Sequence, residues 1–151
     1  MQLAIELARK AGKLEEIPVG CVITDQENNV ISCAFNSVNR NNDPTAHAEI
    51  IAIRKACKKL KKTKLTNHSI YVTLEPCKMC ETAIINAGIK KIYFGAYSDS
   101  IQVNKFKLKT YFSPKKDCEF LGGFDEESCS SLIIEFFKKK KMTKNFSIQC
   151  L

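Results

Sequence analysis

Two short motifs, separated by 26 residues, constrain this 151-residue chain more than any other feature. The first is the H-x-E sequence His47–Glu49, and the second is the P-C-x-x-C sequence Pro76–Cys80. Either motif alone occurs by chance or in unrelated settings, such as redox pairs and halves of structural zinc sites. Found together, with each predicted to open a helix, they indicate one metal centre assembled from two distant parts of the chain.

The residue types in these motifs suit zinc. Zinc prefers four ligands in a tetrahedral arrangement and binds thiolate sulfur and imidazole nitrogen well. Cys77 and Cys80 are three residues apart, which places both sulfurs on one side of a helical turn. Pro76 is predicted at the first helical position, where its missing N–H has no intrahelical partner. With His47 as the third ligand, the fourth position is left to water, which is typical of a catalytic zinc site.

Glu49 is the candidate proton carrier beside this centre. Residues i and i+2 do not share a face of a helix, so the metal must lie over the helix end. The helix is predicted to begin at Thr45, although a capping box would place the acid at position 48. The alternative is an exposed glutamate in a first helical turn, where the helix dipole favours an acid.

Composition places the chain among globular proteins. Its length predicts one domain, residues 1–151, that buries a substantial core. The chain has no apolar run as long as a membrane span, and its acidic, amphipathic N-terminus is not a signal peptide. These features predict a cytoplasmic protein without disulfides, in which Cys21, Cys33 and Cys57 are small core residues.

The formal net charge of +8 fits a nucleic-acid partner. However, only Arg9, Arg40 and Arg54 among the 24 basic residues are arginines. Frequent lysine, isoleucine and asparagine could reflect biased codon usage, so the charge alone leaves RNA binding open.

Alternating apolar patterns predict an α/β protein, a three-layer α/β/α sandwich around a five-stranded mixed sheet. A polar loop is predicted over residues 36–43. The metal-bearing turns are expected to meet at one edge of the sheet. The predicted helices are 2–14, 45–60, 76–87 and 125–141, and the predicted strands are 18–24, 30–35, 69–74, 89–96 and 118–121.

Longer motifs around these elements resemble the bacterial tRNA-specific adenosine deaminases over residues 3–141, nearly the whole chain. The resemblance implies a cytidine-deaminase-like fold and a homodimer. It also implies that the wobble adenosine of an arginine tRNA anticodon is converted to inosine. The matching segments are Pro18–Gly20, Asn36, Asp43–Ile50, Val72–Cys80 and Ile92–Ala96.

Carried over by position, the resemblance implies one zinc ion per subunit and a pocket for an unstacked adenosine of the anticodon stem-loop. Asn36 has an alternative interpretation as an ordinary loop asparagine. The implied roles are metal binding for His47, Cys77 and Cys80, proton transfer for Glu49, and contact with the flipped base for Asn36, Val19 and Ala48.

The chain departs from the family pattern after Gly95 and Ala96. The glycine-rich RNA-holding loop that the resemblance leads us to expect is replaced by residues 97–102, which contain no glycine. The resemblance also leads us to expect an acid in this loop. Asp99, one position later in the chain, is the candidate substitute for it. The departure bears on RNA contacts and not on the metal chemistry.

Three alternatives remain at this stage. The first is a free-base or nucleoside deaminase acting on guanine, cytosine or cytidine. The second is a non-catalytic zinc-containing RNA-binding subunit, which the presence of Glu49 argues against. The third is a structural zinc module, which usually needs a fourth protein ligand.

Overall fold

The computed structural model describes residues 1–99, 101 and 118–147, with side chains through residue 141. Five helices and five strands follow one another along these residues. They are α1 (Gln2–Lys13), β1 (Gly20–Thr24), β2 (Val30–Phe35), α2 (Val38–Asn41), α3 (Ala48–Leu60), β3 (Ser69–Leu74), α4 (Lys78–Asn86), β4 (Lys91–Ala96), β5 (Glu119–Leu121) and α5 (Glu126–Ser147).

The five strands form one mixed sheet in the order β2-β1-β3-β4-β5. Strand β1 is antiparallel to both β2 and β3, whereas β3, β4 and β5 are parallel to one another. Strand β3 therefore lies at the centre, and the chain that leaves its carboxyl end carries the P-C-x-x-C motif. The hairpin of β1 and β2 supplies the antiparallel part, as the sequence predicted.

Helices cover both faces of the sheet. Helices α3 and α4 pack on one face, where Ala52 and Ile84 join the main apolar core. Helices α1 and α5 pack on the other face, where Ile5 and Ile133 form a second cluster. This arrangement confirms the predicted three-layer sandwich with a five-stranded mixed sheet.

Close packing of α1 on the sheet depends on Gly20 at the start of β1. A Cβ atom at this position would collide with the backbone oxygen of Ala4 and the backbone nitrogen of Ala8. The missing side chain lets the helix backbone approach the strand directly. The backbone N–H of Gly20 donates to the hydroxyl of Thr73 at 3.1 Å, which ties β1 to the end of β3.

The helix predicted from Thr45 begins three residues later, at Ala48. The carboxylate of Asp43 accepts hydrogen bonds from the backbone N–H and the hydroxyl of Thr45, at 2.8 and 2.7 Å. These bonds form an Asx turn, which competes with helix formation at this position. Thr45 thus belongs to the turn that precedes the helix.

Other boundaries also differ from the prediction. Helix α4 begins at Lys78, so Pro76 lies before the helix and not at its first position. The polar loop predicted over 36–43 contains the short helix α2. Helix α5 extends to Ser147, and β4 begins at Lys91. In the part of the chain that the structure describes, no helix combines the length and apolarity needed to cross a membrane.

Candidate metal centre and active site

The candidate site lies where two helices begin. His47 is the N-cap residue of α3 and Cys77 is the N-cap residue of α4, both with extended backbone. Neither side chain caps its own helix, so the imidazole and the thiol remain available as ligands. The N-termini of both helices face this region, and their positive dipole ends favour thiolate and other anions.

The three predicted metal ligands converge. The Nδ1 atom of His47 lies 3.6 Å from the sulfur of Cys77 and 3.5 Å from the sulfur of Cys80. Tetrahedral zinc with usual bond lengths would separate such a nitrogen and sulfur by about 3.6 Å. All three donor atoms lie within 4.8 Å of one another, so the donor set fits zinc in both chemistry and spacing. Among the described residues this is the one group with such spacing.

The two thiols differ sharply in acidity. A hydrogen bond from Cys80 lowers the pKa of Cys77 to about 4, with His47 acting in the same direction against the effect of burial. The same contact raises the pKa of Cys80, and burial and the nearby Glu49 raise it further. The pair therefore holds one proton near neutral pH, and a bound cation would displace it.

Glu49 is buried, with only 4 % of its surface exposed, in the first turn of α3. Burial is the main reason that its pKa is raised, while His47 opposes the shift and the Cys80 thiol hydrogen-bonds to the carboxylate. The interpretation of this residue as an exposed helix-start glutamate is therefore wrong. As expected from the spacing, the donor cluster lies over the end of the helix, so that His47 and Glu49 both reach it.

The candidate base-contacting residues lie on neighbouring elements. The backbone N–H of Asn36 donates to the carbonyl of Val19 at 2.9 Å, just beyond the paired part of the hairpin. Val19 and Ala48 belong to the same buried apolar cluster, and Asn36 is 5 % exposed. The hairpin thus places Asn36 beside Val19 through their backbones, and Val19 and Ala48 both contribute to the main apolar core.

Sequence reasoning missed the environment of Asn36. Its side-chain nitrogen donates to the carboxylate of Glu16 at 3.2 Å, and Glu16 is fully buried. Glu16 lies between α1 and β1 in a stretch of charged and apolar residues, where neither periodicity nor a known motif marks it. Only the fold reveals that this acid faces inward.

The divergent loop after β4 is anchored by another glutamate. The backbone N–H and the hydroxyl of Ser98 donate to the carboxylate of Glu75, at 3.0 and 2.7 Å. Asp99, the candidate substitute acid, is exposed. Ser100 and Gln102, which the prediction also covered, lie outside the described residues.

Comparisons with known proteins agree with this geometry. The profile of the cytidine and deoxycytidylate deaminase zinc-binding region matches residues 1–96. The tRNA-specific adenosine deaminase of Haemophilus influenzae is 40% identical over 146 residues, covering 95% of this chain and 84% of that protein.

Two solved structures are informative. The first comes from a study of A-to-I editing by tRNA:A34 deaminases at the wobble position; it aligns with a TM-score of 0.74 and 36% identity, covering 87% of this chain and 96% of that chain. The second, a Bacillus subtilis guanine deaminase, aligns with a TM-score of 0.62 and 31% identity, covering 74% and 81%. The chain therefore belongs to the tRNA-specific adenosine deaminase family, within the zinc-binding cytidine and deoxycytidylate deaminases.

Proposed function

We propose that this chain is a zinc-dependent hydrolytic deaminase that converts adenosine to inosine at the wobble position of a tRNA anticodon. The observation that carries the proposal is the convergence of His47, Cys77 and Cys80 beside the buried carboxylate of Glu49. Three protein donors leave a tetrahedral ion one position for water. The adenosine substrate is inferred from the relatives named as tRNA-specific adenosine deaminases. The arginine tRNA is the substrate that the sequence resemblance implies.

His47, Cys77 and Cys80 would hold zinc, which when bound would lower the pKa of a water molecule. Glu49 accepts a proton from the attacking water as its oxygen bonds to C6 of the adenine, and it delivers that proton to the ring nitrogen N1. It then transfers the remaining proton of the new C6 hydroxyl to the amino group, which leaves as ammonia while the C6 oxygen becomes the carbonyl of inosine. A buried carboxylate with a raised pKa holds a proton more readily than an exposed one, which suits a group that must accept a proton and then deliver it.

The remaining predicted residues form the pocket. Val19 and Ala48 supply apolar walls against the faces and edges of an unstacked base. Asn36 supplies hydrogen-bonding groups that a purine can pair with. Unstacking is inexpensive in an anticodon loop, where the base is already unpaired.

The proposal extends to partners and location. The partner is a tRNA anticodon stem-loop, and the enzyme acts as one domain over residues 1–151 in a homodimer. The cytoplasm is the proposed location, since tRNA is processed there.

A second candidate function is deamination of a free base such as guanine. It is favoured by one observation, the 31% identity with the Bacillus subtilis guanine deaminase. The tRNA substrate is favoured because the tRNA-specific relatives align with up to 97% of this chain, whereas the guanine deaminase aligns with 74%. A non-catalytic RNA-binding subunit is disfavoured by the buried Glu49.

The decisive experiment incubates zinc-loaded protein with a minimal arginine-tRNA anticodon stem-loop and measures inosine at the wobble position. Free adenosine, guanine, cytosine and cytidine are parallel substrates, and ammonia release is the common measurement. Inosine in the stem-loop alone supports the proposal. If ammonia is released from a free base or nucleoside while the stem-loop is unchanged, the tRNA substrate is wrong and the enzyme acts on small molecules.

A further inference from the structure

Glu16 is a buried acid that the proposed mechanism does not use. It has no solvent exposure, and no cation forms an ion pair with it among the described residues. Its carboxylate instead accepts hydrogen bonds from three N–H groups. These are the side-chain nitrogens of Asn36 at 3.2 Å and Asn39 at 3.3 Å, and the backbone nitrogen of Arg40 at 2.8 Å.

The end of helix α1 places Glu16 in this position. The N–H groups of Glu15 and Glu16 donate to the carbonyls of Gly12 and Ala11, at 3.2 and 3.0 Å, in the pattern of a Schellman motif. Glu15 takes the left-handed position, with φ of 60°. The next position of this motif commonly carries an apolar side chain that contacts the last turn of the helix. Here it carries a carboxylate.

A buried carboxylate is costly for folding unless it is well hydrogen-bonded. Three N–H groups offset that cost here, and an apolar residue at the same position would leave the backbone N–H of Arg40 without its acceptor. Besides this structural role, the acid contacts a candidate substrate-binding residue, Asn36.

We propose that Glu16 is a positioning residue that fixes the orientation of the Asn36 amide in the substrate pocket. The inference rests on the proposed role of Asn36 in binding the base. The carboxylate oxygen of Glu16 is the acceptor at this contact, so the amide nitrogen of Asn36 faces it. The planar amide then turns its oxygen away from Glu16. A substrate that enters the pocket therefore meets the Asn36 amide in one orientation. Without Glu16, the amide oxygen and nitrogen could exchange places by rotation of the side chain.

The test is a double-mutant cycle on the stem-loop deamination assay. Glu16→Gln keeps the size of the side chain, but its amide can accept or donate, so Asn36 can rotate to either orientation. We expect KM to rise with kcat less affected, and kcat/KM to fall about tenfold, as when a hydrogen bond to a charged group is weakened. Asn36→Ala should lower kcat/KM by at least as much. In the Asn36→Ala background, Glu16→Gln should have no further effect on kcat/KM.

Asn39→Ala is the matched control, because it removes another amide donor from the same Glu16 oxygen. It should leave KM as in wild type. The melting temperature and the zinc content of every variant are measured in parallel. If Glu16→Gln does not unfold cooperatively, Glu16→Asp replaces it in the cycle, since it retains the charge but withdraws the acceptor from Asn36.

Three results would overturn the inference. One is wild-type kcat/KM for Glu16→Gln when Asn36→Ala is impaired. Another is an effect of Glu16→Gln that persists undiminished in the Asn36→Ala background, because Glu16 would then act only on the loop around Asn39 and Arg40. Wild-type activity of Asn36→Ala would overturn the proposed role of Asn36 and the inference with it. Absence of stem-loop deamination by the wild-type protein would instead overturn the proposed function.

Discussion

The metal side and the base side of the candidate pocket are built in different ways. On the metal side, the donors of His47, Cys77 and Cys80 come from two helix N-termini and lie within two short motifs. On the base side, Asn36 is oriented by Glu16, a residue 20 positions earlier on another element. Local geometry sets the first arrangement, whereas tertiary packing sets the second.

This difference shows which parts of an active site a single sequence reveals. A metal ion restricts its ligands to a few residue types, and a helical turn fixes their spacing. The orientation of an amide can be fixed by any acceptor that the fold brings within reach. The predictions below separate the two sides, beginning with the largest expected effect.

Loss of one zinc ligand should disable the metal side completely. Cys80→Ser replaces a thiolate donor with a hydroxyl, and we expect both bound zinc and turnover to be lost. Stabilisation by zinc should disappear as well; it amounts to about 4 kcal/mol at a free concentration about 1,000-fold above Kd. Metal analysis and thermal unfolding with and without zinc measure these effects.

Cys57→Ser is the control for that substitution, since Cys57 is a half-buried cysteine of α3 away from the donor cluster. It should retain zinc and turnover. Full zinc binding by Cys80→Ser would contradict the assignment of Cys80 as a zinc ligand.

Removing the proton carrier should abolish turnover without affecting the metal. Glu49→Gln keeps the size of the side chain but cannot take up a proton, and we expect kcat to fall by about 10²- to 10⁴-fold. Zinc content and affinity for the stem-loop should remain as in wild type.

Glu81→Gln is a matched control, because Glu81 is another buried acid in a first helical turn, where it pairs with Lys78 at 3.2 Å. Its turnover should stay within a few-fold of wild type. Equal losses in the two variants would mean that Glu49 has no special part in the reaction.

The hydroxyl of Thr73, which holds Gly20 next to the base-side residue Val19, should matter for stability. Thr73→Val leaves the buried N–H of Gly20 without its acceptor, and we expect a loss of about 1–3 kcal/mol in the free energy of unfolding. Urea denaturation at equilibrium measures this loss.

The same substitution at Thr24 is its control. The Thr24 hydroxyl is buried and has no hydrogen-bond partner in the described part of the chain, so Thr24→Val should be neutral or stabilising. If both variants lost similar stability, the hydrogen bond to Gly20 would not be the cause.

The smallest expected effect concerns the turn before His47. The hydroxyl of Thr45 is the main cause that lowers the pKa of Asp43 from its ordinary value of 3.8. A lowered pKa in the folded state contributes stability above the ordinary pKa, which is lost as the pH falls through the folded value. Asp43→Asn should therefore be less stable than wild type at pH 7, and the difference should vanish at an acidic pH that lies below the folded pKa of Asp43.

Urea midpoints of the two proteins at both pH values test this prediction, because all other carboxyl groups titrate alike in both. A difference that persists unchanged in acid would show that the charge of Asp43 contributes nothing and that only the shape of the turn matters.

Much of this fold and its metal centre was predictable from the sequence. Hydrophobic patterns located the four long helices and all five strands, because burial on one face imposes a period on the chain. The predicted boundaries were wrong where a side chain forms hydrogen bonds with nearby backbone groups and so competes with helix formation. Asp43 holds Thr45 in a turn and delays α3 to Ala48, and the short helix α2 carries no pattern long enough to detect.

By itself the sequence determined which residues are the candidate zinc ligands and which acid is the candidate proton carrier, since residue type and local spacing are sufficient to single them out. Only the tertiary structure decided that Glu49 is buried, that Ser98 anchors the divergent loop to Glu75, and that Glu16 faces Asn36. The physical reason is that burial and hydrogen-bond partners depend on which distant segments pack together, and no local pattern encodes that.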